Sequence, residues 1–169
     1  MLAQNQEGHQ LVRLLELPEA ALAGIQGLTH AKVVTSHEGK ILLVFDRGRH
    51  RWQLPGGALE PNETIRACAV RELHEESSNA CFEEELTFTF AYELLVGPTR
   101  FNPETRTELG ALYEVEIEHI ASFIPTEEIG ATLWWSGAEL SHELDGIDRK
   151  LIELARERHQ QSANEAGAG

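Results

Sequence analysis

Three glutamates near the middle of the chain have the spacing that a metal site on a helix requires. In the run RELHEE over residues 71–76, Glu72, Glu75 and Glu76 occupy positions i, i+3 and i+4. On a helix such residues share one face and lie about one turn apart. Carboxylates this close repel one another unless a cation joins them, and Mg²⁺ prefers oxygen ligands of this kind. The run indicates a metal platform, although a purely solvated acidic face has the same composition.

The segment before these glutamates is also suited to a ligand site. Residues 54–57, with the sequence LPGG, follow a β-like stretch. Glycines at such a break allow the main chain to approach a ligand closely and to turn its carbonyl oxygens inward. A plain strand–turn–helix junction would share these features, but a glycine-rich loop leading into an acidic helix is an arrangement that a metal–diphosphate site can use.

The glycine-rich segment and the acidic helix lie within a series of predicted strands and helices. Residues 63–77 contain no proline or glycine and carry apolar residues three apart, which predicts a helix with Asn62 as its N-cap. A second amphipathic helix is predicted over 147–159, and a short one from Pro18 to about Gly27. Strands are predicted over residues 31–36, 40–45, 86–96, 109–117 and 132–135, the first two as a hairpin.

The charge balance restricts the class of partner. The chain has 14 basic and 28 acidic residues, a formal net charge of −14, which opposes non-specific binding to nucleic acid or anionic lipid. No apolar run approaches the roughly 20 residues that cross a bilayer, and the first residues, MLAQNQEGHQ, lack a secretory signal pattern. We therefore expect a cytoplasmic protein with no membrane partner, and we expect Cys68 and Cys81 to be free thiols.

The spacing of the central charged residues resembles the signature of the Nudix hydrolases, G-x5-E-x7-R-E-U-x-E-E-x-G-U, in which U is a bulky apolar residue. The matching positions are Gly57, Glu63, Arg71, Glu72, Leu73, Glu75 and Glu76. The resemblance extends over roughly residues 31–155. The final glycine and apolar residue of the signature are replaced by Ser78 and Asn79. Since that glycine closes the helix in a left-handed conformation, we expect Asn79 to provide the cap here.

The resemblance implies both a fold and an activity. The fold is an α/β/α sandwich with a mixed β-sheet and the signature as a loop–helix–loop, which we place in a single domain over residues 1–160. The composition of 161–169 predicts a disordered tail. The implied activity is metal-dependent hydrolysis of a nucleoside diphosphate linked to another moiety. The implied ligands of Mg²⁺ or Mn²⁺ are Glu72, Glu75, Glu76 and the carbonyl group of Gly56.

Further roles follow from the same resemblance. Arg71 would orient Glu72 through a salt bridge that Glu63 could share. Glu72 is the first candidate for the general base, and Glu127 or Glu128 are the alternatives from a later loop.

Residues outside the acidic helix are candidates for substrate binding. They are Gly57 and, in the basic loop over residues 47–51, Arg49 and Arg51, whose guanidinium groups suit phosphate. Surface charge unrelated to substrate is the alternative for the arginines. The three tryptophans could stack on a base, but strand aromatics more often pack in the core. These are Trp52, Trp134 and Trp135.

The sequence after the signature contains no convincing substrate-specific motif. By exclusion, and by its size, we expect a nucleoside triphosphate pyrophosphatase that binds a nucleotide-type small molecule. An ADP-ribose or nucleotide-sugar pyrophosphatase would use the same helix. A non-catalytic, nucleotide-sensing domain is a third possibility, against which every charged position of the signature is present. The chain could act as a monomer or a homodimer.

Overall fold

In the computed structural model, which describes residues 1–169, a nine-stranded mixed sheet forms the middle layer. The strands are β1 (Ala3–Gln4), β2 (Gln10–Leu15), β3 (Leu28–His37), β4 (Lys40–Asp46), β5 (Arg51–Gln53), β6 (Gly56–Ala58), β7 (Thr87–Val96), β8 (Arg106–Glu116) and β9 (Ile129–Trp135). The helices are α1 (Ile65–Ser77) and α2 (Gly146–Gly167), with short 3₁₀ helices at Glu19–Leu22 and Glu83–Glu85. The predicted hairpin is present as β3 and β4.

The strand order is β1-β2-β7-β8-β3-β4-β5, with β6 added to β3 and β9 added to β4. The pairing of β3 with β8 is parallel, and the other pairings are antiparallel. In the β3–β6 pair, Lys32 lies opposite Gly56 and Ala31 lies opposite Gly57. This register fixes the two glycines beside the start of β3, between the sheet and the segment that leads into α1.

Alternation along the strands sends side chains to two separate cores, because successive residues of a strand point to opposite faces. On one face Val34 and Leu43 pack with residues of α2, and on the other Val33 and Leu42 pack with residues of α1. The predicted α/β/α sandwich is therefore confirmed. The acidic helix covers one face of the sheet, and α2 covers the other.

The ends of α1 differ from the prediction in detail. The N-cap is Thr64, whose side chain accepts a hydrogen bond from the backbone N–H of Ala67. Asn62 has a φ of 62° and forms part of the preceding turn, so its predicted role as cap is wrong. At the other end Ser78 itself adopts the left-handed conformation, with φ 64°, and its N–H bonds the carbonyl of His74.

Asn79 therefore does not cap α1, as we expected, but fixes the loop behind it. The residue is buried, and its Oδ1 accepts a hydrogen bond of 2.9 Å from the backbone N–H of Ala121. Its backbone N–H donates to Ser77 Oγ. Asn79 is thus hydrogen-bonded both to the end of α1 and to the distant residue Ala121. The Nudix signature has an apolar residue at this position.

The terminal helices also differ from expectation. The predicted helix from Pro18 to Gly27 is only the 3₁₀ helix Glu19–Leu22, because Gly24 and Gly27 adopt positive φ values of 74° and 89°. In contrast, α2 continues to Gly167, across the segment for which composition predicted disorder. No helix has both the length and the apolar character needed to cross a membrane.

Candidate functional site

The acidic face of α1 lies against the glycine strand β6. The backbone N–H of Gly56 points to Glu76 Oε2 at 3.4 Å. A Cβ atom at Gly57 would overlap the carboxylate of Glu72, and one at Gly56 would overlap the carbonyl oxygen of Ala31. Both positions thus require glycine so that β6 can fit between β3 and α1. Gly57, predicted to contact substrate, makes room for the Glu72 carboxylate.

Arg71 joins three of the predicted site residues. Its Nε and Nη2 atoms donate to the two oxygens of Glu63 at 2.7 and 2.9 Å, a bidentate pair. Its Nη1 atom donates to Glu72 Oε1 at 2.8 Å and to Glu75 Oε2 at 3.1 Å. Nη2 also bonds the carbonyl oxygen of Ala58 at 2.9 Å, so the guanidinium is tied to β6 as well as to α1.

This network gives Glu63 a lower pKa than Glu72 and Glu76. The hydrogen bonds from Arg71 hold the pKa of Glu63 at about 2, well below its usual value. The same contacts raise the pKa of Arg71. Glu63 and Arg71 therefore form a permanently charged pair that anchors the loop before α1, and the carboxylate of Glu63 is occupied by this contact.

Glu72 and Glu76 have the opposite electrostatic character. Burial, together with the nearby charges of Glu72 and Glu128, raises the pKa of Glu76 to about 8 against the opposing charge of Lys32. Only 6% of Glu76 is exposed. Burial also raises the pKa of Glu72, and Arg71 opposes this shift. These carboxylates are crowded by like charges and lack a full complement of partners.

The remaining acids lie at the edge of the cluster. The side chain of Glu75 is 55% exposed and pairs only with Arg71. Glu128 is exposed, and its backbone carbonyl accepts a hydrogen bond of 2.9 Å from the N–H of Arg47. Its charge is among the main influences on the pKa values of both Glu72 and Glu76. This favours Glu128 over Glu127 as the later acid to consider as a base.

The acids suit a divalent cation in chemistry, although no group of three or more His, Cys, Asp or Glu side chains is already arranged as metal ligands. Glu72 and Glu75 are turned toward Arg71 in this structure. The fit is shown by Glu76, a buried carboxylate beside two further acids, since a hard cation relieves this repulsion. The donor set of carboxylate oxygens matches the preference of Mg²⁺ or Mn²⁺.

Arg51 does not lie where a substrate could reach it. Its side chain is only 8% exposed and forms ion pairs with Glu7 and Asp145. Asp145 is the N-cap of α2, so Arg51 ties the N-terminal segment to the start of that helix. The expectation that Arg51 binds substrate is therefore wrong. Arg49 is more exposed, with 56% of its side chain accessible, and its acidic partners are Asp46 and Glu7.

The tryptophans and cysteines serve mainly in packing. Trp52 and Trp135 are buried in the core beneath α2. Trp134 is partly buried and packs against the ring of His37 at 5.6 Å between centroids. Cys68 and Cys81 are free, as predicted, and burial raises the pKa of the Cys68 thiol to about 12.

Lys32 is a charged residue near the site that the sequence interpretation missed. Its ammonium lies 2.8 Å from both carboxylate oxygens of Asp148, on α2, and its charge acts on Glu76. Asp148 also accepts a hydrogen bond of 2.8 Å from the backbone N–H of Leu54. The available signal was a lysine within the β-rich run AKVV, at a position where an apolar residue would otherwise face the core.

The family model of the NUDIX domain matches residues 28–155 of this chain. The chain belongs to the Nudix family. Among curated proteins, it is similar to a MutT-like protein of Streptomyces ambofaciens, with 31% identity over 77 residues, which are 46% of this chain and 50% of that protein. It is also similar to the RNA pyrophosphohydrolase of Serratia proteamaculans (strain 568), with 39% identity over 44 residues, 26% of this chain and 25% of that protein. The matched stretches thus span half or less of these relatives.

Solved structures agree with the fold. The Bacillus subtilis pyrophosphohydrolase BsRppH superposes with a TM-score of 0.72 at 17% identity, covering 96% of this chain and 98% of that one. A MutT/nudix family protein from Enterococcus faecalis gives a TM-score of 0.62 at 17% identity, covering 85% and 64%. At these identities the likeness concerns the fold alone.

Proposed function

We propose that this Nudix chain hydrolyses a diphosphate bond in a nucleotide with the help of divalent cations. The observation that carries the proposal is the crowding of Glu72 and Glu76 against β6. Two partly desolvated carboxylates beside a third acid are costly in a folded protein unless a ligand uses them. A chain with a net charge of −14 repels an anionic substrate. A bound cation would offset this repulsion at the site.

We assign Mg²⁺ or Mn²⁺ to the side chains of Glu72, Glu75 and Glu76 and to the carbonyl group of Gly56. Such an ion neutralises phosphate oxygens and lowers the pKa of a bound water. Arg71 positions Glu72 through the 2.8 Å hydrogen bond and is itself fixed by Glu63.

The general base is Glu128 or Glu72. Glu128 is exposed and has no ion pair to break, and its charge reaches the acidic cluster. Glu72 is held by Arg71, which favours a fixed ligand over a group that gains and loses a proton. On these grounds Glu128 is the better candidate for accepting the proton of the attacking water.

The substrate we propose is a nucleoside triphosphate, cleaved to a nucleoside monophosphate and pyrophosphate. A second candidate is a triphosphate at the end of an RNA chain, which the similarity to an RNA pyrophosphohydrolase favours. The excess of 28 acidic over 14 basic residues opposes a long polyanion and therefore favours the free nucleotide. ADP-ribose or a nucleotide sugar is the third candidate substrate.

The test is a panel of nucleoside triphosphates, triphosphorylated RNA, ADP-ribose and nucleotide sugars, each incubated with Mg²⁺ or Mn²⁺, with products separated by anion-exchange chromatography. Release of pyrophosphate with a nucleoside monophosphate supports the first proposal, whereas AMP with ribose 5-phosphate supports ADP-ribose. Glu76→Gln should lower turnover by about 100-fold or more, the scale seen when a group that stabilises transition-state charge is lost. Calorimetric Mn²⁺ binding should weaken in the same variant.

A matched control separates this effect from a general change of surface charge. Glu153 on α2 is 50% exposed and pairs with Lys150, much as Glu75 is 55% exposed and pairs with Arg71. Glu75→Gln should weaken both turnover and Mn²⁺ binding, and Glu153→Gln should change neither. Full metal-dependent turnover in both Glu75→Gln and Glu76→Gln would overturn the assignment.

A further inference from the structure

Arg47 and Arg49 in the loop after β4, and Arg51 at the start of β5, have different surroundings. Arg51 is buried between Glu7 and Asp145, and Arg49 has Glu7 and Asp46 as its nearest acids. Arg47 is exposed and forms no ion pair. In a chain with twice as many acidic as basic residues, an arginine without a carboxylate partner is available for another anion.

Arg47 is held beside Glu128 by a backbone hydrogen bond. Its backbone N–H donates to the carbonyl of Glu128 at 2.9 Å, and Glu128 acts on the carboxylates of Glu72 and Glu76. The side chain of Arg47 crosses Gly130, where an added Cβ would lie 3.1 Å from Nε and 3.2 Å from Cγ. Because Gly130 has no side chain, the side chain of Arg47 can lie along the start of β9, two residues after Glu128.

We propose that Arg47 binds the terminal phosphate of the substrate and so makes the site selective for a triphosphate over a diphosphate. This inference rests on the proposed function. A guanidinium binds phosphate through two parallel hydrogen bonds, and such charge-assisted bonds are stronger than neutral ones. The acids of α1 serve the part of the substrate that is cleaved, whereas Arg47, next to Glu128, supplies a positive side chain that forms no ion pair. The sequence analysis named Arg49 and Arg51 of the same basic segment as candidates and did not name Arg47.

Steady-state kinetics on nucleoside triphosphates and diphosphates test the proposal with three variants. Arg47→Ala should raise KM for triphosphates by about 10- to 100-fold, the range of a lost hydrogen bond between charged groups, and change KM for diphosphates far less. Arg47→Lys should recover part of this loss, since it keeps the charge without the planar fork. Arg156→Ala is the matched control, because Arg156 is also exposed and unpaired but lies on α2.

A binding measurement distinguishes failure of this inference from failure of the proposed function. Calorimetric titration of inorganic tripolyphosphate in the presence of Mg²⁺ needs no turnover. Weaker binding in Arg47→Ala, with unchanged binding in Arg156→Ala, would support the inference even if no nucleotide on the panel is cleaved. Equal effects of the two variants, or an equal rise in KM for triphosphates and diphosphates with Arg47→Ala, would overturn it. Unchanged thermal unfolding of Arg47→Ala shows that the fold is kept.

Discussion

Replacement of Lys32 by methionine should destabilise the protein strongly, because it leaves the buried carboxylate of Asp148 without its cation. Asp148 is fully buried, and both of its oxygens lie 2.8 Å from the ammonium of Lys32. The charge of Asp148 raises the pKa of Lys32 against the effect of burial. The pair also connects the two halves of the sandwich, since Lys32 lies on β3 and Asp148 in the first turn of α2.

The magnitude follows from the burial of the carboxylate. Removing one partner of a buried ion pair costs about 3–5 kcal/mol, because the other charge stays desolvated. Asp148 keeps the hydrogen bond of 2.8 Å from the N–H of Leu54, which favours the lower end of that range. For a domain of this size, each kcal/mol lowers Tm by about 2–4 °C, so Lys32→Met should lower Tm by at least about 6 °C.

Urea unfolding monitored by circular dichroism gives the free energy of unfolding for a double-mutant cycle. Asp148→Asn retains an acceptor for the Leu54 N–H and removes the charge. The double variant Lys32→Met/Asp148→Asn should therefore be more stable than Lys32→Met alone, although it carries one more substitution. If the two substitutions destabilise additively, or if Lys32→Met costs less than about 1 kcal/mol, the pair does not have the role that its geometry indicates.

Two further outcomes are expected. Gly57→Ala should fold but lose about 100-fold or more in turnover, because the new Cβ would displace the Glu72 carboxylate; unchanged kinetics would contradict this. Burial holds the pKa of His30 at about 4 in the folded state, against 6.5 in the unfolded chain. As pH falls the unfolded chain binds this proton first, so stability is complete above about pH 6.5 and about 3 kcal/mol is lost toward pH 4. His30→Gln should flatten urea-unfolding stability over that window, and a slope equal to wild type would refute the assignment.

The sequence predicted five of the nine strands and the central helix with only small errors at their ends, whereas β1, β2, β5 and β6 were not predicted. Alternating apolar residues fix which side of a strand faces a core, and this information is local. The ends of α1 were less predictable, since Thr64 and Ser78 replace Asn62 and Asn79 in the expected capping roles. The cap at Ser78 depends on where the following loop is held, which Asn79 and Ala121 decide together through a contact distant in sequence.

Family membership and the acidic row were determined by the sequence itself. The spacing of Glu72, Glu75 and Glu76 already requires them to share a helical face, because the pitch of a helix is fixed by its backbone. The tertiary structure alone decided how the charges are paired. It joined Lys32 to Asp148 across 116 positions, and it turned Arg51 inward while leaving Arg47 beside Glu128. Composition cannot distinguish these arginines, since the direction and partners of a loop side chain are set by the elements that pack around it.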